Sequence, residues 1–255
     1  MLIEPVSENS DAHASRIVPF DARKHAGLGV SQSHLSNFMA TRNSVEISLT
    51  EFFYASRHYP VVFVKTEMNT MQACVVTGLR QAENLFIDEH GNWQDHAYVP
   101  AYIRRFPFYT VDTNDSLQAG KLMIMVDEFG LSKSENPFFD GSGKATDKWK
   151  KMESFIADFI SAQKLTLTFT EKIEDLELLE AFEAQVNPQL QKRMQVSGMF
   201  RINENRLNSL SNRVIKDLMI QGELSRIYAH LISLENFAKL LDLSISKDQL
   251  STIKK

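Results

Sequence analysis

The residues that could do chemistry here are scattered, and none falls into the spacing of a known catalytic motif. Seven histidines, His13, His25, His34, His58, His90, His96 and His230, form no HExxH, HxH or HxD pattern. A metal at His90 and His96, with Asp88 and Asp95 beside them, would need ligands that converge in space, which spacing alone does not supply. Neither a metal nor a cofactor is expected. The single cysteine, Cys74, lies in the apolar run ACVVTG. It reads as a buried small hydrophobe, not as a nucleophile with a nearby base, and one cysteine excludes an intrachain disulfide. GLG at 27–29 lacks the third glycine of a dinucleotide fingerprint. DGSG at 140–143 lacks the alternating oxygens and closing glutamate of a calcium loop. No GxSxG or Walker loop is present.

What the chain does concentrate is arginine among aromatics. AYVPAYIRRFPFYT (97–110) sets Arg104 and Arg105 among Tyr98, Tyr102, Phe106, Phe108 and Tyr109. A guanidinium offers a planar fork to a carboxylate, and the rings offer apolar area with polar tips. Together with Glu83, Asn84, Trp93 and His58, these residues suggest a pocket for a carboxylate or a peptide. The expected ligand-binding set is Arg104, Arg105, Glu83, Asn84, Trp93, Tyr98, Tyr102 and His58. Pro100 and Pro107 bias Val99 and Phe106 toward extended geometry. Neighbours in an extended chain face opposite ways, so one arginine should turn inward, where it needs an acidic or carbonyl partner. Glu51, Glu67, Glu83 and Asp88 are near enough in sequence to serve. A second reading makes the region an enzyme site, with Glu83, Asp88, His90 or His58 as acid–base groups and the arginines as electrostatic stabilisers. No residue is assigned a catalytic role. A third reading leaves all of them knitting an ordinary core.

Elements that could hold such a site are legible around it. YPVVFVK (59–65) and QACVVTGL (72–79) read as buried strands, and NLFIDEHGNWQ (84–94) as strand, turn, strand, so the three suggest an antiparallel meander. Val45, Ile47 and Leu49 alternate as in a strand, and Thr50 looks like the cap of a short helix to His58. Ile17–Phe20 and LMIMVDE (122–128) add strands. A helix is expected from Asp147 to Gln163, its face of Trp149, Met152, Phe155, Ile156, Phe159 and Ile160 packing on the central sheet. KLTLTFTEKI (164–173) alternates like a strand, and 174–182 reads as a helix, with a break at Pro188. A strand over 199–202 precedes a helix capped by Asn203 and running to Met219. Gly222 ends it, and a last helix spans 222–243. The fold class is α+β, a mainly antiparallel β-rich N-terminal half packed against a helical C-terminal half. It is read as one unit over 16–243 between a loose tail (1–15) and a frayed one (244–255).

The composition, 43% apolar and 24% charged, is that of an ordinary globular chain, and the net charge of −4 argues against nucleic-acid binding. The N-terminus lacks the basic and apolar regions of a secretory signal, and no apolar run approaches the ~20 residues that span a bilayer. A cytoplasmic location without membrane attachment is the expectation. Self-association into a homo-oligomer stays open.

The strings EFFYASRHYPVVFV, GLRQAENLFIDEHGNW and YVPAYIRRFPF, in this order, resemble the SapC family of bacterial proteins, as do GMFRINENRLNSL and GELSRIYAHLISLENFAKLL near the end. The likeness covers residues 45 to 242. The family takes its name from a gene associated with bacterial surface layers. The resemblance implies an association with genes for flavin-dependent halogenase-like or cupin-like oxygenase systems, whose proteins are candidate partners, and it brings no catalytic residues with it. The reading is a non-enzymatic protein that recognises a peptide or partner protein through the central aromatic and arginine surface.

Overall fold

Val61, Val62, Phe63 and Val64 have 0% solvent exposure. A strand this apolar needs cover on both faces and paired neighbours on both sides. In the computed structural model, which describes residues 16–112, 122–186 and 194–253, it is the middle of five. The sheet runs β3 (Ser44–Glu46), β5 (Met71–Val76), β4 (Val61–Lys65), β10 (Met194–Ile202), β9 (Leu179–Val186), each pair antiparallel. The β4–β5 hairpin pairs Val62 with Cys74 and closes on Asn69, whose φ of +64° asparagine tolerates better than most residues. The third run of the expected meander is not a strand of this sheet. Its 84–94 segment holds only an isolated Ile87–Trp93 bridge around a turn, because Asp88 Oδ1 accepts from the His90 and Asn92 amides and folds the chain back on itself.

This sheet belongs to one compact unit, residues 39–101 with 161–255; a second comprises the described residues 16–38 with 102–160. The helices of the first unit are α2 (Phe52–Ala55), α5 (Glu204–Ser209), α6 (Asn212–Ile220), α7 (Glu223–Ser233), α8 (Asn236–Ile253) and the second half of α4 (Asp147–Asp175). α7 is pinned to the sheet at two strands. His230 Nδ1 donates to the Val61 carbonyl, its Nε2 accepts from the Ile202 amide, and Ser233 Oγ accepts from the Val61 amide. Asn203 caps α5 as expected, accepting from the Arg206 amide. The helix to Met219 is nevertheless two helices, because Ser211 starts a new one at α6. The expected 222–243 helix likewise divides into α7 and α8, and α8 continues through residues that read as a frayed tail.

The alternating stretch 164–173 is helix, not strand. Thr166, Thr168 and Thr170 hydroxyls donate back to the carbonyls of Ala162, Lys164 and Leu167, so the helix itself satisfies them. The buried positions are Thr166, Phe169, Thr170 and Ile173, a helical i, i+3, i+4, i+7 stripe, while Leu165 and Leu167 are exposed. The helix then stops at Asp175 instead of resuming over 174–182. Leu178 N–H reaches the Ile173 carbonyl with Glu177 at φ +53°, a helix-ending motif usually built on glycine, and the chain enters β9.

The second unit holds the three-stranded antiparallel sheet β1 (Ile17–Pro19), β7 (Leu122–Asp127), β6 (Phe108–Asp112), and the pair β2 (Leu28–Val30) with β8 (Leu131–Lys133). It also holds most of α1 (Gln32–Ala40), most of α3 (Ala101–Arg104) and the first half of α4. The amphipathic face of α4 packs here, not on the five-stranded sheet: Trp149 and Ile156 join Phe108, Val126, Phe138 and Phe139. Among the described residues the strand pairs are antiparallel, helices dominate the C-terminal half, and the class is α+β. No helix of the described residues is long and apolar enough to cross a membrane. The tail at 1–15, the polar turn at 113–121 and the break at Pro188 lie outside the described residues.

Candidate functional site

The eight residues singled out from the sequence fall into two groups. Tyr102, Arg104 and Arg105 belong to the second unit; His58, Glu83, Asn84, Trp93 and Tyr98 belong to the first.

In the second unit, residues 101–104 form a helical turn where an extended chain is expected, and Phe106–Pro107 is a cis peptide. The two arginines still diverge, since successive helical side chains also point apart. Arg104 is exposed, its guanidinium 4.9 Å from the Phe155 ring centre. Arg105 is buried, and its partner is a carbonyl: Nη1 donates to Phe108 O at 2.7 Å. Rings of Tyr102, Tyr109 and Phe159 surround it at 4.4, 4.7 and 5.4 Å. This arrangement desolvates a cation among π faces. Tyr102 is itself buried and stacks with Phe38.

In the first unit, Glu83 and Asn84 hold a loop together. Glu83 accepts from Leu79 N–H and pairs with Arg80, while Asn84 bonds the Met39 carbonyl and the Phe86 amide. Asp88, His90 and His96 are exposed, and the backbone amide of Asn92, ahead of that of His90, holds the Asp88 carboxyl below its usual range. Among the described residues no three His, Cys, Asp or Glu side chains gather as metal ligands. Cys74 has 0% exposure, and burial pushes its thiol well above the usual value, with Glu46 adding to the effect.

Trp93 and Tyr98 meet through one hydroxyl. Trp93 Nε1 donates to Tyr59 Oη at 2.8 Å, and Tyr59 Oη donates to the Tyr98 carbonyl at 2.5 Å. Tyr98 Oη then donates to Glu51 Oε1 at 2.9 Å. Glu51, expected as an arginine partner, is a buried staple instead. Its Oε1 also accepts the Ala101 amide, and its Oε2 accepts the Ser48 amide and hydroxyl. The Ser48 contact places the helix start two residues before the expected Thr50 cap.

This framework fixes the Tyr98 ring beside an aromatic surface that sequence reasoning passed over. Tyr54, 57% exposed, stacks on Tyr98 at 5.6 Å and 21°. Its neighbour Phe53, 42% exposed, lies under the Arg226 guanidinium at 5.2 Å. Arg226 Nη1 donates to the Gly222 carbonyl at 2.6 Å, which holds the guanidinium at the start of α7. The helical turn continues past α2 through Ser56 N–H to Phe52 O and His58 N–H to Ala55 O. Arg57 and His58 therefore follow Tyr54 at i+3 and i+4 on one side of the turn. His58 is part-buried beside Tyr59; burial first, then Lys239 and Arg57, lowers its pKa. Lys239 sits 5.4 Å from the Phe86 ring, and Phe86 packs edge-on against Tyr59 at 4.5 Å. The spacing in FFYASRH carried this face. Two adjacent phenylalanines do not announce in sequence that Phe52 has 0% exposure while Phe53 is 42% exposed.

No curated protein and no solved structure matches the chain. The sequence model of one family, SapC, matches residues 20–240, which span most of both units; the chain belongs to the SapC family.

Proposed function

We propose that this SapC protein is a non-enzymatic binding or accessory protein, and that it recognises a peptide or a segment of a partner protein through the aromatic and arginine surface of its first unit. The surface comprises Phe53, Tyr54, Tyr98 and Arg226. The observation that carries the reading is the exposed Tyr54 ring, stacked on a Tyr98 that Glu51 and Tyr59 hold in place. A rigid aromatic pair offers large contact area at small entropic cost, as binding anchors do. Tyr102, Arg104 and Arg105 belong to the second unit, and the proposed surface is drawn from residues of the first. Glu83, Asn84 and Trp93 support it by shaping the loops behind, and His58 sits at its edge.

The test uses peptides selected from a random display library on the intact chain. Selected peptides are expected to bind the native protein and to bind Tyr54→Ala at least about tenfold more weakly, a loss of roughly 1.4 kcal/mol. An exposed control in the second unit, Met123→Ala, is expected to leave binding unchanged. Selected peptides that bind Tyr54→Ala and the native chain alike would overturn the proposal.

A further inference from the structure

Some cations of the first unit are paired with carboxylates, and others, Lys65, Lys164, Arg213 and Lys216 among them, have no ion pair among the described residues. Lys172 pairs with Asp217 and Glu223, Arg80 with Glu83 and Asp248, and Arg201 with Glu180. Arg57, Lys239 and Arg226 have no ion pair among the described residues. Arg226 lies over Phe53, Lys239 lies over Phe86, and Arg57 is exposed one turn beyond Phe53 and Tyr54. The depressed proton affinity of His58 agrees with this geometry, since both charged neighbours acting on it are cations. An unneutralised positive rim beside exposed rings is notable in a chain whose net charge is −4.

We infer that the segment seated on Phe53, Tyr54 and Tyr98 is acidic: an aromatic or aliphatic anchor flanked by aspartate or glutamate, with its carboxylates facing Arg57, Arg226 and Lys239. This rests on the binding role proposed above and names the chemistry of the partner. Complementary charge steers encounter and rejects wrong partners, while the rings supply the buried area. A single-stranded nucleic acid would also stack on rings beside cations. The acidic balance of the whole chain disfavours it, because nucleic-acid affinity draws on an extended basic footprint.

Four labelled probes separate these outcomes when titrated with the intact chain and read by fluorescence anisotropy. Three are twelve-residue peptides with one Phe-Leu anchor, flanked by glutamate, by glutamine or by lysine; the fourth is a twelve-nucleotide oligouridylate. The glutamate peptide is expected to bind about tenfold tighter than the glutamine peptide, with the lysine peptide weakest and the preference shrinking as salt rises. Arg57→Glu with Lys239→Glu, both exposed positions, is expected to abolish that preference and leave the circular dichroism spectrum unchanged. Equal binding of the glutamate and glutamine peptides, both weakened by Tyr54→Ala, overturns the acidic assignment and leaves the aromatic surface standing. An acidic preference that survives the double reversal overturns it too, as does oligouridylate binding tighter than any peptide. If no peptide binds below about 1 mM, the acidic assignment and the binding role fall together.

Discussion

His230 Nδ1 donates to the Val61 carbonyl across 2.8 Å, deep in the first unit, where the histidine has 0% exposure. Its other nitrogen accepts the Ile202 amide, so the ring is fixed as the neutral Nδ1–H tautomer. Burial pushes its pKa down to about 4 from 6.5, against the opposing effect of the Val61 bond. The unfolded chain therefore takes up a proton that the native chain refuses. The stabilisation is full above pH 6.5, falls as the pH drops, and is gone below about 4. Urea unfolding between pH 7 and pH 4 is expected to show a loss approaching about 3 kcal/mol from this residue. A His230→Gln variant is expected to be less stable at pH 7 and to lack that component of the pH dependence.

Glu51 gives a sharper test of the frame behind Tyr98. Both of its oxygens each accept two donors. Glu51→Gln presents an amide N–H₂ where donors already point, so it is expected to cost roughly 1–3 kcal/mol in denaturant unfolding. Glutamate is required here for its acceptors, and aspartate, one methylene short, is not expected to restore stability.

Phe52 and Tyr54 are two positions apart and should part company under mutation. Phe52 is fully buried and packs against Phe63 and Phe169. Phe52→Ala is expected to lose about 3–5 kcal/mol. Tyr54→Ala is expected to change stability by less than about 1 kcal/mol. Thermal melts of the two variants check this contrast, and a large loss for Tyr54 would make its ring a structural element and not a recognition element.

Thr166 tests the helix over 164–173. Its hydroxyl donates to the Ala162 carbonyl and accepts the Leu49 amide at 2.7 Å. Thr166→Val keeps the shape but strands that buried amide, an expected cost of about 1–3 kcal/mol. Thr168→Val, at an exposed position, is expected to be near neutral. Calorimetry on the pair distinguishes the helix from the strand that the alternation suggests, since a strand would place the two threonines on one face with like effects.

The strands β4, β5 and β7, the Asn203 cap and the start of α4 were legible because each rests on local signals: β-branched runs, a capping side chain, a loop rich in glycine. Two things were not. Alternation of leucine and phenylalanine with threonine made 164–173 look strand-like, although the buried stripe has helical spacing and the threonine hydroxyls are satisfied by the helix itself. Glu177 ends a helix with positive φ and no glycine to announce it. At the site, the carbonyl partner of buried Arg105 followed from the cost of an uncompensated charge, whereas the divergence of Arg104 and Arg105 was expected from an extended chain and arises at a helical turn. The division of the eight residues between two units did not, since sequence proximity says nothing about where 161–255 folds back. Arg226 and Lys239 reach the FFYASRH turn from more than a hundred residues away, and only tertiary structure joins them to it.

β4 is synthesised long before its partner β10, because residues 102–160 lie between the two halves of the first unit. On the ribosome, the VVFV edge must wait, apolar and unzipped, until the last third of the polypeptide emerges. Nascent chains halted before Ile202 should therefore be the ones that recruit chaperones or clump, and release of the final helices should end that exposure.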